Sequence, residues 1–84
     1  MENKKKTINQ ILYRSTHRGT KEMDILLGNF VKKYIHTLND KDLSDLDKIL
    51  NCEDLILYNW YYNNIKNEFI PINKITRMLK SFKL

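Results

Sequence analysis

Residues 21–38 read KEMDILLGNFVKKYIHTL and carry the strongest structural signal in the chain. The apolar residues of this stretch recur at steps of three and four without a miss: Met23, Leu26, Leu27, Phe30, Val31, Tyr34, Ile35 and Leu38. That spacing predicts one face of an amphipathic helix of about five turns. Gly28 lies inside this helix, at a cost of roughly 0.5–1 kcal/mol relative to alanine, so we expect another backbone to approach closely there.

The sequence on the N-terminal side predicts a short helix. Thr7-x-x-Gln10 has the pattern of a capping box that opens it. We expect Gly19 to end the helix in a left-handed conformation. Residues 1–6 include a run of lysines and are expected to form a flexible N-terminus.

Three more helices are expected on the C-terminal side. Asn39-Asp40 ends the long helix, and Ser44-x-x-Asp47 has the pattern of a second capping box. The apolar stretch 55–65 predicts a fourth helix, closed by asparagines. After Pro71, a final amphipathic helix is expected, with Asn73 near its start. Its apolar face is predicted to contain Ile72, Ile75, Met78, Leu79 and Phe82.

Length and composition agree with this count. A chain of 84 residues forms one small domain, and 42% hydrophobic with 30% charged residues is typical of a globular protein. Two glycines and one proline are too few for the turns of a β-sandwich or barrel. We therefore expect a single all-α, compact five-helix domain over residues 1–84.

The cysteine and histidine content limits the disulfide and metal sites that the chain could form. Cys52 is the one cysteine, which excludes a disulfide framework and a cysteine-based zinc site. His17 and His36 have no ligand spacing around them, so no metal is expected. No apolar run is long enough for membrane insertion, and we expect a cytoplasmic protein.

Charged residues crowd around Gly19: Arg14, His17, Arg18, Lys21, Glu22 and Asp24. Arg18 and Glu22 are four residues apart and within reach of each other. One interpretation is that these charges only complement the helix ends. The other is a rigid charged knuckle that docks into a partner, with Gly19 allowing close approach.

Catalysis by the chain itself is not expected. His17 has no serine, cysteine or second histidine at a suitable spacing. Cys52 is either a buried spacer or a thiol acidified at a helix start. Glu53 and Asp54 are adjacent, so we interpret them as a helix cap rather than a carboxylate pair.

Two features favour binding. Trp60 is expected in the core, but Tyr58, Tyr61 and Tyr62 cannot all be buried in so small a domain, so some are expected to be exposed. Exposed tyrosines could stack on nucleic-acid bases or anchor a protein interface. The net charge of +5 keeps open an alternative function, a small basic helical nucleic-acid-binding domain. Because the lysines are scattered and arginine occurs only three times, we expect no nucleic-acid partner.

Residues 12–30, LYRSTHRGTKEMDILLGNF, resemble the SdhE family, the small flavinylation factors of succinate dehydrogenase. The family hallmark is Arg-Gly-x-x-Glu, here Arg18, Gly19 and Glu22, before a leucine-rich amphipathic helix. A second family block, of the type Leu-Leu-x-x-x-Asp leading to a tryptophan, matches residues 49–60. The resemblance covers about residues 10–80.

The resemblance implies a five-helix fold and a partner rather than a catalytic site. The implied client is the flavoprotein subunit of succinate dehydrogenase, and of fumarate reductase in some bacteria, where FAD becomes covalently bonded to a client histidine. The implied client-binding residues are Arg18, Gly19 and Glu22, flanked by His17 and Asp24. The resemblance implies no cofactor of the protein's own, since FAD belongs to the client. We expect a monomer when it is free.

The chain departs from the family pattern at the motif. Thr20 replaces the common apolar residue after the glycine, and Met23 replaces a common leucine. Gln10 stands where an arginine is frequent, and the arginine run before the glycine is reduced to His17-Arg18. These changes bear on client affinity more than on the fold.

Overall fold

A computed structural model describes residues 2–83 of the chain, with side chains from residue 5 onward. Within that range it contains five α-helices and one 3-10 turn. They are α1 (Glu2–Thr16), α2 (Lys21–Tyr34), the 3-10 turn (Ile35–Thr37), α3 (Asp40–Leu50), α4 (Asp54–Tyr62) and α5 (Lys74–Ser81). The predicted all-α five-helix architecture is confirmed.

The predicted stripe of α2 forms the centre of the core. All of its apolar residues are buried except Tyr34, which is half-buried. Helix α2 packs against α1 and α4, while α3 packs against α1 and α5. A Cβ added at Gly28 would lie 3.4 Å from Thr16 Cγ2 and 3.8 Å from the Ser15 carbonyl oxygen. Both distances are ordinary van der Waals contacts, so the close backbone approach expected at Gly28 is wrong, and the end of α1 leaves room for a Cβ.

Two predicted helix starts are wrong. Helix α1 begins at Glu2 instead of Thr7, because the lysines before Thr7 favour helix and extend it. Residues 2–6 are therefore helical in backbone, Met1 and the side chains of residues 1–4 lie outside the described part, and flexibility there stays a prediction. Helix α3 begins at Asp40 instead of near Ser44, because the Asn39 side chain accepts the N–H of Asp42 at 2.8 Å.

The last two helices are tied to each other. The Lys80 ammonium donates to the carbonyl oxygens of Trp60 and Tyr61 at the end of α4, and the Tyr61 hydroxyl donates to the Phe82 carbonyl. Lys80 Nζ also lies 4.7 Å from the centre of the Trp60 ring, within cation–π range. Trp60 was expected in the core. Its side chain packs against the core but is only half-buried.

One core assignment near α5 is wrong. Ile72 is 84% exposed, whereas Ile70 is buried at 6% exposure. The Asn73 side chain caps α5 in a capping box with Thr76, so Ile72 precedes the helix and lies off its apolar face. None of the helices in residues 2–83 is both long and apolar enough to cross a bilayer.

Candidate functional site

Arg18 turns inward from the end of α1, and its side chain is only 9% exposed. Its Nε and Nη2 atoms contact Asp54 Oδ1 at 2.8 and 2.7 Å. Nη1 donates to the Leu50 carbonyl at 2.6 Å, and Nη2 donates to the Cys52 carbonyl at 2.9 Å. The guanidinium therefore satisfies carbonyls at the end of α3, where a helix leaves acceptors unpaired and favours positive charge.

Asp54 completes the arrangement from the start of α4. Its Oδ2 accepts the backbone N–H groups of Gly19 at 2.7 Å and Thr20 at 3.1 Å. A carboxylate is favoured there because the N-terminus of α2 presents unpaired donors and partial positive charge. Arg18 and Asp54, the clamp, thus join the α1–α2 connection to the α3–α4 connection.

The clamp corrects the interpretation of Glu53-Asp54 as a helix cap. Glu53 occupies the N-cap position of α4 but makes no side-chain capping bond. Asp54 instead caps a different helix, α2, across 34 to 35 residues of sequence. That role was not predicted; the signal available was the aspartate that ends the Leu-Leu-x-x-x-Asp block.

Glycine is needed at position 19 for a different structural reason from the one predicted. Its φ is not positive, so the left-handed helix stop is wrong. A Cβ at this position would lie 3.2 Å from Asp54 Oδ2, closer than side chains ordinarily pack. Gly19 therefore makes room for the carboxylate of the clamp.

Glu22 is exposed in the first turn of α2. The predicted reach between Arg18 and Glu22 is wrong, because the guanidinium is directed to Asp54 on the far side of the connection. Thr20, one of the departures from the family pattern, is the N-cap of α2 and accepts the Met23 N–H at 3.4 Å. Of the hallmark residues, Glu22 is thus the one whose side chain is exposed.

His17 and Asp24 lie on either side of the clamp. The His17 ring stacks on Tyr13, with ring centres 3.9 Å apart, and its Nδ1 lies 2.8 Å from the Tyr13 carbonyl. Since a carbonyl only accepts, that contact places the proton on Nδ1. Half-buried Asp24 accepts the Arg18 backbone N–H at 3.4 Å and so supports the connection.

Helix α4, which packs against α2, carries an apolar and aromatic face. Leu55, Tyr58 and Tyr62 share one side of the helix; Leu55 is 67% and Tyr62 41% exposed, and Tyr58 is half-buried. Burial raises the pKa of Tyr62, and the neighbouring Tyr61, Tyr58 and Glu22 raise it further. Tyr62 is therefore within electrostatic reach of Glu22.

We call Glu22, Leu55, Tyr58 and Tyr62 the Glu22 face. The sequence predicted that some tyrosines would be exposed, and Tyr62 confirms it. It did not predict that this tyrosine would lie beside the hallmark glutamate. The pairing depends on the packing of α2 against α4, which brings together residues 40 positions apart.

Cys52 offers no activated nucleophile. Burial raises the pKa of its thiol, and the nearby Arg18 charge opposes this only in part. Cys52 also precedes Glu53, the N-cap residue of α4, so the structure does not place the thiol at a helix start as that alternative required. In the part of the chain that the structure describes, no three histidine, cysteine or acidic side chains are grouped as metal ligands.

Comparisons with known proteins agree with the resemblance in the sequence. The family model of Sdh5, described as flavinator of succinate dehydrogenase, matches residues 9–83. Succinate dehydrogenase assembly factor 2, mitochondrial, from Arabidopsis thaliana is 41% identical over 59 residues, and its counterpart from Saccharomyces cerevisiae is 32% identical over 77. FAD assembly factor SdhE from Acetobacter pasteurianus is 35% identical over 71 residues. No solved structure matches the chain.

These matches cover most of this chain but different shares of its relatives. They span 70%, 87% and 84% of the chain, and 31%, 48% and 62% of the Arabidopsis, yeast and Acetobacter proteins respectively. The chain thus corresponds to a third to a half of the mitochondrial relatives. With the family matched over residues 9–83, the chain belongs to the Sdh5 family, the flavinators of succinate dehydrogenase.

Proposed function

We propose that this protein binds the flavoprotein subunit of succinate dehydrogenase and promotes covalent attachment of FAD to a histidine of that client. Fumarate reductase is a second proposed client. The observation that carries the proposal is the division within the hallmark: Arg18 is buried in the clamp, and Glu22 is exposed on a fixed first turn. A fixed, exposed carboxylate beside apolar side chains suits recognition of a protein surface.

The clamp supports this function by holding the Glu22 face in one arrangement. Both connections that it joins are short, and their backbone donors and acceptors bond to the two charged side chains. A preorganised surface loses less conformational entropy on binding than a mobile one. We therefore propose Arg18, Gly19 and Asp24 as residues that position the Glu22 face. In this proposal Glu22 contacts the client and His17 lies at the border of the face.

The proposed mechanism needs no catalytic group on this protein. Attachment requires the client histidine to be held against the flavin, with charge stabilised as the bond forms. A protein that binds this reactive arrangement more tightly than the client's other arrangements increases the population of the reactive one. A preference of about 2.8 kcal/mol gives a shift of roughly a hundredfold.

The proposal gives the protein no FAD of its own. The N-terminus of a helix is the usual place for a flavin phosphate on a small domain. At the start of α2, three of the backbone donors are already bonded: Asp54 accepts from Gly19 and Thr20, and Thr20 Oγ1 accepts from Met23. FAD is therefore treated as a substrate of the reaction within the client.

A reconstitution tests the proposal. The apo flavoprotein subunit is mixed with FAD and this protein, and covalent flavin is read as fluorescence of the client band on a denaturing gel. We expect wild type to increase the signal and Glu22→Ala to reduce it by tenfold or more, on the order of a lost charged contact. Asp40→Ala is the matched control, since Asp40 is also an exposed acidic residue in a first helical turn. No increase with wild type would contradict the function, and equal loss in both variants would contradict the role of Glu22.

A further inference from the structure

The connection between α4 and α5, residues 63–73, exposes large apolar side chains. Ile65 is 53%, Phe69 68% and Ile72 84% exposed. Single exposed apolar residues are normal on a protein surface, but three within eight positions form a patch, and patches mark interaction sites. Ile70, in the same connection, is buried and fixes the segment to the core.

Part of this patch borders a groove of about 560 Å³. Its apolar lining comes from half-buried Trp60, buried Ile70 and the exposed Ile65 and Ile72. The ammonium of Lys80, which also lines the groove, holds the Trp60 end of α4 through its bonds to backbone carbonyls. The groove therefore has a fixed aromatic base and exposed aliphatic walls.

The charged residues that line the groove are mainly positive. Lys66 and Lys80 line it together with one acidic residue, Glu68. The adjoining groove shares Lys80 and adds Lys83. Both Lys66 and Lys83 are exposed, and neither forms an ion pair with a carboxylate side chain of the described residues.

We propose that this groove, the Trp60 groove, binds an apolar peptide segment of another protein that carries carboxylate side chains beside its apolar residues. The apolar side chains would cover Ile65, Ile72 and the edge of Trp60, and the carboxylates would meet Lys66 and Lys83. Charge complementarity selects this occupant. The site lies at the opposite end of α4 from Asp54. None of the residues that line the Trp60 groove belongs to the Glu22 face, and the adjoining groove that holds Lys83 also includes Tyr62.

A second copy of this chain fits the groove poorly. A twofold dimer would place the same mainly positive surface on both sides. Each copy also carries a net charge of +5, which opposes association further. An acidic partner removes both penalties.

Binding of designed peptides to the full chain tests the proposal. Two short fluorescein-labelled peptides share leucines at helical spacing and differ only in having glutamates or lysines between them. We expect the glutamate peptide to bind at least about tenfold more tightly in fluorescence anisotropy, with the difference reduced by added salt. Equal binding of the two peptides, or no binding, would overturn the proposal.

Variants locate the binding. Ile72→Ser and Ile65→Ser should each weaken binding of the glutamate peptide by about tenfold, because each removes exposed apolar surface that the peptide would cover. Lys66→Glu should weaken it as well. Leu55→Ser, at a comparably exposed leucine, and Lys32→Glu, at an exposed lysine of α2, are the matched controls and should leave binding unchanged.

Two results would replace the proposed occupant. Unchanged binding in Ile72→Ser together with a loss in Leu55→Ser would move the peptide to the Glu22 face. Sedimentation that shows a dimer of wild type and a monomer of Ile72→Ser would assign the groove to a second copy. Circular dichroism of each variant establishes that it remains folded.

Discussion

The connection between α1 and α2 and the connection between α4 and α5 are built in opposite ways. Residues 17–20 are few, and they are fixed by the buried ion pair of Arg18 and Asp54. Residues 63–73 are more numerous, and they leave Ile65, Phe69 and Ile72 exposed. The first connection buries charge and the second exposes apolar surface.

The difference shows that residue type alone does not tell whether a side chain stabilises the fold or is exposed to contact a partner. At the first connection the most conspicuous charge, Arg18, is taken up by the fold, because helix ends supply carbonyls and N–H groups that satisfy both members of the clamp. At the second connection, Ile65, Phe69 and Ile72 stay exposed because they precede Asn73, the N-cap residue of α5. They therefore cannot join the apolar face of that helix. The predictions below separate the two kinds of residue.

The largest expected effect is loss of the clamp. Arg18→Ala should lower the free energy of unfolding by about 3–5 kcal/mol, because it leaves the Asp54 charge and two carbonyls without their partner. The corresponding fall in Tm is at least about 12 °C for a domain of this size. Urea unfolding followed by circular dichroism measures the free energy, and thermal unfolding measures the fall in Tm.

Arg14→Ala is the matched control for the clamp. Arg14 pairs with Asp47, but the two side chains are 43% and 38% exposed. Such a surface pair contributes at most about 1 kcal/mol. Similar losses in the two arginine variants would contradict the distinction between a buried and an exposed ion pair.

The neighbouring residues Ile70 and Phe69 give the next effect. Ile70→Ala should cost about 2–4 kcal/mol of unfolding free energy, since it opens a cavity in the core. Phe69→Ala should change it by less than about 0.5 kcal/mol, since the ring is largely exposed. The same urea titration compares them, and a larger loss for Phe69→Ala would show that the connection packs differently.

The two glycines should respond in opposite directions. Gly19→Ala should destabilise the fold by about 1 kcal/mol, because the new Cβ displaces the Asp54 carboxylate. Gly28→Ala should stabilise it by up to about 1 kcal/mol, because the contact there is ordinary and alanine favours helix. Thermal unfolding of the two variants checks the signs, and stabilisation by Gly19→Ala would count against the clamp.

The smallest effect tests the Glu22 face. Glu22→Gln should lower the pKa of Tyr62 toward its ordinary value, because one of the charges that raises it is removed. In wild type the folded state keeps this proton longer than the unfolded state. Stability is therefore lost as pH rises past the ordinary tyrosine pKa, and Glu22→Gln should reduce that loss.

Ultraviolet titration of the tyrosines measures the change. Comparison with Tyr62→Phe identifies the signal of this residue. Asp40→Asn is the control, and it should leave the Tyr62 titration unchanged. An unaltered pKa in Glu22→Gln would separate Glu22 from the aromatic residues of α4.

The sequence predicted much of the fold because the relevant signals are local. The apolar spacing of residues 23–38 is sufficient to define the core face of α2 and of the 3-10 turn that follows it, and Asn73 marks the start of α5. Helix starts were less predictable where two capping residues compete, as Asn39 and Ser44 do. Periodicity also placed Ile72 in the core, since spacing does not show that the helix begins after it.

The candidate site was predictable in its location and not in its contacts. The hallmark pattern pointed to Arg18, Gly19 and Glu22 together. The partner of Arg18 is Asp54, 36 residues away, and no local pattern distinguishes that pairing from a pairing with Glu22. Only the packing of the helices determines which charge is buried and which is exposed.

The most direct test of this division is flavin attachment in the presence of a stabilising osmolyte. Trimethylamine N-oxide strengthens burial and favours the folded state. We predict that it restores both helicity and client flavinylation to Arg18→Ala, whereas Glu22→Ala is folded throughout and stays defective. Refolded Arg18→Ala that remains inactive, alongside a fully active Glu22→Ala, would contradict the account by placing Arg18 in contact with the client.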